Sequence, residues 1–401
     1  MDAEPSRRAV AAVIAASFAV RAAYCLHTGG ALIYPDEQAY HGTALQMLGG
    51  ADWGAIFRTR EPLYPLFMWL AYKVCGPLPL AVKLLQAALS CCWVWLMYRL
   101  TLGLFGRRAA LAALLMAAFY PFSVFYDARL LRESLLVLLG TAAAGAAMWP
   151  GWSPGRRLAA ASALAGLAVL AKTVFVFYWL PLAAAALLLR RVTVRQALLA
   201  AALFAAVLSP LVVSNYRGTG RLFLARGQMF NLYAALVQPA DSHGAPDENA
   251  RIMEIPEYRA GLALPEAERD AYFSALVKKE LRERPGHFAR VTAWRFAKLW
   301  RLWPYRGIDY SAGSWAALAA VSLLSDGWIL PLALWAAWRL RGRAGELYPA
   351  YIYAGSLTLI YSLSWSQMRY RMPIMPLAIM LAAAALPGLL ARAGILKEEN
   401  A

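Results

Sequence analysis

About ten apolar stretches of membrane-spanning length recur along this chain, and they constrain the fold more than any other feature. Lipid offers no hydrogen bonds to a backbone, so segments that cross it must be helices or closed barrels. We therefore predict an all-α polytopic membrane protein, in which the stretches near 157–190 are short enough to form one re-entrant pair. The predicted spans are 9–27, 79–101, 109–126, 132–149, 157–171, 174–190, 196–214, 315–338, 346–363 and 373–392.

The composition excludes an ordinary soluble protein and argues against nucleic acid as a partner. Hydrophobic residues make up 61% of the 401 positions and charged residues only 16%, whereas a soluble domain has about half and a quarter. The net charge of +17 comes mainly from basic clusters between apolar stretches and from one long polar segment. Such clusters suit contact with anionic membrane lipids.

The basic clusters also predict the topology. They alternate with the spans in one phase, and cytoplasmic loops carry an excess of Lys and Arg. Both termini are then expected on the cytoplasmic side of the membrane. The first apolar stretch lacks a small-residue cleavage site, so we interpret it as an uncleaved span. The clusters are Arg7–Arg8, Arg107–Arg108, Arg156–Arg157, Arg190–Arg191 with Arg195, and Arg339, Arg341 and Arg343.

Three regions follow from this topology. Residues 1–214 form an N-terminal transmembrane module whose first outer loop spans 28–78, and residues 313–401 supply the last transmembrane helices. Between them, 215–312 is a long outer segment. Short amphipathic helices at the membrane surface are predicted over 36–48, 62–74, 265–284 and 287–303, and the stretch 241–248 is polar.

Charged side chains gather beside the predicted outer ends of the spans. Asp36 and Glu37 directly follow the first span, where adjacent carboxylates are costly unless they are used. A carboxylate can act as a general base, and guanidinium groups bind phosphate oxygens. The candidates are Asp36, Glu37, Arg60, Glu61, Asp127, Arg129, Arg132, Glu133, Lys172, Arg217, Arg369 and Arg371.

Structural explanations stay open for these residues. Asp36 and Glu37 could cap the helix that follows them, and Lys172 could extend its amine to the interface. The remaining charges could form local surface pairs or anchor helix ends. Arg129 and Arg132 lie three residues apart and are predicted to share a helix face. No Cys or His spacing suggests a metal site.

Six short segments in order resemble the GT-C membrane glycosyltransferases, specifically bacterial family 39, related to protein O-mannosyltransferases and lipid A aminoarabinose transferase. Asp36–Glu37 with Tyr40 resembles the acidic pair of the first outer loop, and Arg60 to Pro65, including Tyr64, the second surface helix. Three departures from the family pattern are Ser214, Lys172 and Met375, where Arg, Arg and Glu are common. The other four segments are 126–133, 209–233, 268–288 and 369–376.

The resemblance implies the GT-C fold and a sugar transfer from a polyprenyl-phosphate donor to an acceptor hydroxyl of a protein, lipid or glycan. Asp36 would deprotonate the acceptor, which attacks with inversion at the periplasmic face, while Glu37 and Glu133 take part in catalysis. The Arg and Lys candidates would stabilise the leaving phosphate, and neither a metal nor another cofactor is expected.

Two other functions remain open at this stage. One is a flippase or transporter of lipid-linked sugars, although transporters usually contain matching halves, which this sequence lacks. The other is a ligase or polymerase that uses lipid-diphosphate glycans.

Overall fold

The computed structural model describes residues 7–237, 251–303 and 312–392, and their regular elements are all helices. Each of the ten predicted stretches lies mostly within helix. The long apolar helices are α1 Arg7–Thr28, α5 Pro79–Ala118, α7 Glu133–Met148, α8 Pro154–Ala171, α9 Val176–Leu188, α10 Val194–Thr219, α15 Ala312–Arg339, α16 Ala344–Leu363 and α17 Met375–Arg392. The shorter helices are α2 Pro35–Leu48, α3 Trp53–Thr59, α4 Leu63–Cys75, α6 Pro121–Asp127, α11 Gln228–Val237, α12 Pro256–Ala263, α13 Glu266–Glu283 and α14 Pro285–Trp300.

Four segments in the described part of the chain are long and apolar enough to cross a membrane. They are α1, α5, α10 and the segment Gly313–Leu363, which contains α15 and α16. The helices α7, α9 and α17 are also apolar but shorter. The chain is thus a multi-pass membrane protein.

Helix α5 is two helices joined at Gly106, whose φ of 79° and ψ of −177° are not helical. This break separates the predicted spans 79–101 and 109–126. The span predicted over 109–126 was wrong at its C-terminal end, because the helix stops at Ala118 and α6 starts anew at Pro121. Proline lacks the N–H that a continuing helix needs and restricts the residue before it, so the chain turns here.

The region 157–190 forms two separate helices, α8 and α9, joined by Lys172 and a 3₁₀ turn over Thr173–Phe175. Glycines let α7 and α8 approach their neighbouring helices closely. A Cβ on Gly166 would meet Val207 of α10 at 3.0 Å. A Cβ on Gly140 of α7 would collide with the Tyr353 hydroxyl of α16. Close backbone contact through glycine is typical of helix packing in membranes.

The surface helices lie close to the predicted ranges. The helix expected over 62–74 is α4, with Pro62 just before its first turn, and 265–284 and 287–303 correspond to α13 and α14. Helix α3 was not predicted, because seven residues are too few for a clear apolar period. Helices α11, α12 and α13 share a small core around Phe273. The polar stretch 241–248 lies outside the described residues.

The connections place several chain segments at one end of the bundle. The loop after α1, the starts of α2 and α7, the end of α8 and the 3₁₀ turn Met368–Arg371 meet there. We call this the Asp36 end. The chain reaches the opposite end between α7 and α8, between α9 and α10, and between α15 and α16.

Candidate active site

Asp36 and Arg369 form the ion pair at the centre of the Asp36 end. Asp36 lies in the first turn of α2, after Pro35 at the first helical position. Its Oδ2 accepts a hydrogen bond of 2.6 Å from Arg369 Nη2. On the other side of Arg369, Nε lies 3.6 Å from Glu133 Oε1. One guanidinium therefore bridges two carboxylates that are far apart in the sequence.

The Asp36 carboxylate is ionised at neutral pH and open to solvent. Burial pushes its pKa upward, but Arg369, with Arg132 and Lys172 behind it, outweighs that effect and holds the pKa below its ordinary value. The side chain is 52% exposed, whereas that of Arg369 is only 18% exposed. Asp36 is thus a carboxylate that an incoming group can reach.

A second ion pair lies beside the first. Arg132 Nη1 donates to Glu61 Oε2 at 2.9 Å and to the carbonyl of Ala171 at 3.2 Å. Glu61 Oε1 accepts from the backbone N–H of Thr173 at 3.2 Å and from its hydroxyl at 3.3 Å. Burial raises the pKa of Glu61, but Arg132 and these donors lower it below its ordinary value. Glu61 thereby ties the loop before α4 to the end of α8.

Lys172 faces two tyrosine rings beside these ion pairs. We call Asp36, Glu61, Arg132, Glu133, Lys172 and Arg369 the cluster. Its Nζ lies 3.6 Å from the ring centre of Tyr370 and 4.7 Å from that of Tyr361, and the two rings stack at 4.9 Å. Burial, then Arg132 and Arg369, hold the pKa of Lys172 well below its ordinary value, although Glu133 and Glu61 oppose this shift. The ring faces partly replace the water that the ammonium group has lost.

Tyr40 and Arg60 flank the cluster on the side of α2. Arg60 lies over the Tyr40 ring at 5.9 Å, and Tyr40 packs edge-on against Tyr64 at 4.8 Å. Burial, with smaller contributions from Glu61, Glu133 and Asp36, raises the pKa of Tyr40 to about 12. Its hydroxyl therefore stays protonated and can act as a hydrogen-bond donor.

Glu37, although adjacent to Asp36, points into the protein and is fully buried. Its Oε1 accepts from the backbone N–H groups of Ile33 and Tyr34 at 3.1 Å. Its Oε2 accepts from the N–H of Leu130 at 2.9 Å. Three backbone donors occupy both oxygens, so this carboxylate fixes the start of α2 against the loop before α7.

Asp127 is also part of the scaffold beneath the cluster. Its carboxylate pairs with Arg21 of α1 at 2.9 Å and accepts from Ser90 at 2.7 Å and Ser134 at 2.6 Å. The backbone of this loop is held by Gln86, which donates to the carbonyls of Asp127 and Arg129 and accepts from Tyr64 at 2.7 Å. These buried bonds leave Asp127 and Tyr64 behind the open site.

The predicted shared helix face of Arg129 and Arg132 was wrong. Residues 128–132 form turns before α7 begins, so a spacing of three does not align their side chains. Arg129 is buried over the Phe125 ring at 4.7 Å and donates to the carbonyl of Ala128. Arg132 points instead into the cluster.

The structure places Arg371 and Arg217 away from the Asp36–Arg369 pair. Arg371 is 2% exposed, forms an ion pair with Asp326 of α15 and donates to the carbonyls of Leu299 and Arg301. Asp326 also accepts from the Tyr120 hydroxyl at 2.9 Å. Arg217 is exposed near the end of α10 and takes no part in the ion pairs that Arg132 and Arg369 form with Glu61, Asp36 and Glu133.

Sequence reasoning missed Arg21 and Asp326, although a signal for both was present. Each is a lone charge within an apolar stretch, where a charge requires a partner. It also missed Thr173, Tyr361 and Tyr370 as neighbours of the site, because uncharged residues near helix ends carry no comparable signal. Among residues 7–237, 251–303 and 312–392, no three Asp, Glu, His or Cys side chains group as metal ligands would.

Comparison with known proteins agrees with this architecture. The family model of dolichyl-phosphate-mannose-protein mannosyltransferases matches residues 59–213. No curated protein matches the sequence significantly.

Three solved structures superpose on nearly the whole chain. ArnT from Cupriavidus metallidurans in the apo state matches with a TM-score of 0.60 and 16% identity, over 96% of this chain and 60% of that one. The same protein bound to undecaprenyl phosphate matches with a TM-score of 0.56 and 18% identity, over 97% of this chain and 62% of that one. The third structure is the oligosaccharyltransferase AglB from Archaeoglobus fulgidus in complex with an inhibitory peptide and a dolichol-phosphate. It matches with a TM-score of 0.53 and 14% identity, over 98% of this chain and 52% of that one.

The chain therefore spans about 60% of the length of ArnT and about half that of AglB. It is similar to them along nearly all of its own length, in helices rather than in sequence. The superpositions over 96% and 98% of this chain, together with the family match over 59–213, give one conclusion: the chain has the GT-C membrane fold.

Proposed function

We propose that this protein is a membrane glycosyltransferase that moves a sugar from a polyprenyl-phosphate donor to an acceptor hydroxyl. One observation carries the proposal: a half-exposed carboxylate, Asp36, lies at the edge of a cationic cluster made by Arg132, Lys172 and Arg369. A base beside several phosphate-binding groups is what this transfer requires. The donor class agrees with the undecaprenyl phosphate and dolichol-phosphate bound to the structural relatives.

Asp36 is the proposed general base. It would accept the proton of the acceptor hydroxyl as that oxygen attacks the anomeric carbon, and the bond from that carbon to the phosphate oxygen breaks. A single displacement inverts the configuration at this carbon. Positioned general bases contribute about 10²–10⁴-fold to rates.

Arg132, Lys172 and Arg369 would stabilise the negative charge that develops on the leaving polyprenyl phosphate. Guanidinium groups bind phosphate oxygens in a bidentate manner, and preorganised cations act strongly in a site sheltered from water. Arg60, over the Tyr40 ring, would add to this field. Since these side chains could offset the charge of a monophosphate, we propose that the transfer needs no metal.

Arg369 gives the site a means of coupling donor binding to the strength of the base. Its Nη2 is bonded to Asp36 and lowers the pKa of that carboxyl. A donor phosphate would compete for the same nitrogen. Once Arg369 turns to the phosphate, Asp36 loses its strongest opposite charge and becomes more basic. The base would thus become more effective when the donor is bound.

The three glutamates have different proposed roles. Glu133 Oε2 is buried beside Arg369 without a hydrogen-bond partner, so we assign it to a hydroxyl of the donor sugar or acceptor. Glu61 holds Arg132 in place. Glu37 holds the start of α2, and is therefore a positioning residue.

The proposed location is the periplasmic face of a bacterial inner membrane, with both termini in the cytoplasm. The basic clusters at the opposite end of the bundle support this orientation. In this scheme residues 1–214 contain Asp36, Arg132 and Lys172, 215–312 form the outer segment with its amphipathic helices, and 313–401 supply the turn that carries Arg369. The acceptor is a hydroxyl of a protein, lipid or glycan.

A donor panel tests the function. Purified protein in detergent would be incubated with radiolabelled polyprenyl-monophosphate sugars, polyprenyl-diphosphate glycans and an extract of candidate acceptors, with and without chelator. Transfer from a monophosphate donor that survives the chelator is expected. Transfer from diphosphate donors alone would replace the proposal with a ligase, and transport of lipid-linked sugar in vesicles without transfer would replace it with a flippase.

A further inference from the structure

A cavity of about 60 Å³ lies at the end of the bundle opposite Asp36. The start of α8, the loop after α9 and the start of α16 surround it. Ligand sites for whole small molecules usually measure about 300–1,000 Å³, so this cavity has room for one polar group rather than a nucleotide or sugar. The polar residues and glycine around it are Arg157, Arg191, Gly345, Glu346 and Tyr348.

The lining is cationic, and part of its donor capacity is unused. Arg157 Nε is buried without a hydrogen-bond partner. Arg191 uses one nitrogen to donate to the carbonyl of Gly345 at 3.0 Å. Glu346, the carboxylate in the lining, accepts two bonds from Arg343, at 2.7 and 2.9 Å. Since Arg343 neutralises Glu346, the charges of Arg157 and Arg191 remain in excess.

The backbone holds these arginines in place. Arg190 adopts the left-handed conformation with φ of 53°, which is unusual for a residue with a side chain. This turn directs the next N–H, that of Arg191, to the carbonyl of Ala186 at 2.9 Å. On the facing side, Arg157 belongs to the first turn of α8, where the helix dipole favours an anion.

The surface beside the cavity is apolar. Leu188 and Leu189 are 81% and 52% exposed, and Val194 on the other side of the turn is 63% exposed. A cationic cavity next to exposed leucines at a membrane boundary matches a headgroup with acyl chains attached.

We propose that this cavity binds a phosphate group, held by Arg157 and Arg191 with Tyr348 as a further donor. The site is independent of the transfer reaction at the Asp36 end. Two sources offer the same chemistry: the phosphodiester of an anionic phospholipid and a soluble phosphate.

The test uses the full-length protein, purified in an uncharged detergent and freed of lipid. Native mass spectrometry would measure the affinity for dioleoyl phosphatidylglycerol, with dioleoyl phosphatidylcholine as the zwitterionic control. Thermal unfolding would measure the response to inorganic phosphate. The variants are Arg157→Gln and Arg191→Gln. Arg156→Gln is the matched control, because it removes the same charge one residue away, where Arg156 stacks on Trp152 at 4.3 Å.

We expect each cavity variant to bind phosphatidylglycerol roughly tenfold more weakly than wild type, because each loses a charge-assisted hydrogen bond, while Arg156→Gln changes affinity by less than about twofold. A melting-temperature rise with inorganic phosphate, lost in both variants and without preference between the two lipids, would support the site and assign it to a soluble phosphate. Equal responses of wild type and both variants to all probes would overturn the proposal. Tyr348→Phe, which removes only a hydroxyl, provides the readout if an arginine variant does not fold.

Discussion

Two arginines of one turn, Arg369 and Arg371, should respond in opposite ways to the same substitution. Arg371 is 2% exposed and bonded to Asp326 and to the carbonyls of Leu299 and Arg301. Arg369 is 18% exposed and faces the open site. Lysine keeps the charge but replaces the planar fork with a single ammonium group.

The size of the effect follows from the bonds lost. In Arg371→Lys the ammonium can retain Asp326 but reaches neither carbonyl, and the loss of two hydrogen bonds at about 1 kcal/mol each gives a destabilisation of roughly 2 kcal/mol. Arg369→Lys affects a partly exposed pair with Asp36 and should cost less than about 1 kcal/mol of stability. Arg369→Lys also removes the guanidinium fork that binds the donor phosphate. The value of kcat/KM for the donor should therefore fall at least roughly tenfold, which corresponds to about 1.4 kcal/mol of transition-state stabilisation.

Both variants would be purified in the same detergent and compared with wild type. Tryptophan fluorescence during heating gives the melting temperature, and transfer of radiolabelled sugar at subsaturating donor gives kcat/KM. We expect Arg371→Lys to melt lower and, where it is folded, to transfer nearly normally. A variant Arg369→Lys with normal transfer, or an Arg371→Lys with wild-type stability and lost transfer, would refute the assigned roles.

Further predictions concern the other members of the cluster. Glu61→Gln removes the charge opposite Arg132. It should destabilise the protein by about 2 kcal/mol, measured by thermal unfolding, and raise the KM for the donor. If the melting temperature and the KM both stay unchanged, the pairing of Glu61 with Arg132 is contradicted. Because the pKa of Lys172 is lowered, its ammonium form is lost as pH rises. Arginine stays charged, so Lys172→Arg should move the basic limb of the pH profile of kcat/KM for the donor to higher pH. A basic limb at the wild-type pH would count against a contact between Lys172 and the phosphate. The lowered pKa of Asp36 places its acid limb in kcat/KM below the pKa of an ordinary aspartate. If the donor draws Arg369 away, the acid limb of kcat should lie at higher pH than that of kcat/KM, and coincident limbs would exclude this coupling.

The sequence predicted the helices well because apolar length and basic loops are local signals. It also located most charges of the Asp36 end, since each follows directly from its position beside a span. It could not tell which side of a turn a charge faces. Glu37 and Asp36 are adjacent, yet one is fully buried and the other half exposed.

Partners distant in the chain were beyond sequence reasoning. Arg21 meets Asp127 across 106 residues, and Arg371 meets Asp326 across 45. Such pairs depend on how the helices pack, and the sequence alone shows only that each buried charge needs a partner. The cavity at the end opposite Asp36 likewise combines the start of α8, the loop after α9 and the start of α16, and it has no motif of its own.

The central claim, that Asp36 is the base, is tested most directly by sugar transfer in Asp36→Asn. The matched control is Asp52→Asn, because Asp52 caps the neighbouring helix α3 through a bond of 2.9 Å to the N–H of Gly54. With equal amounts of folded protein and saturating donor, we expect Asp36→Asn to lose at least about 10²-fold in kcat, while Asp52→Asn transfers normally. Transfer by Asp36→Asn at the wild-type rate would contradict the proposed mechanism.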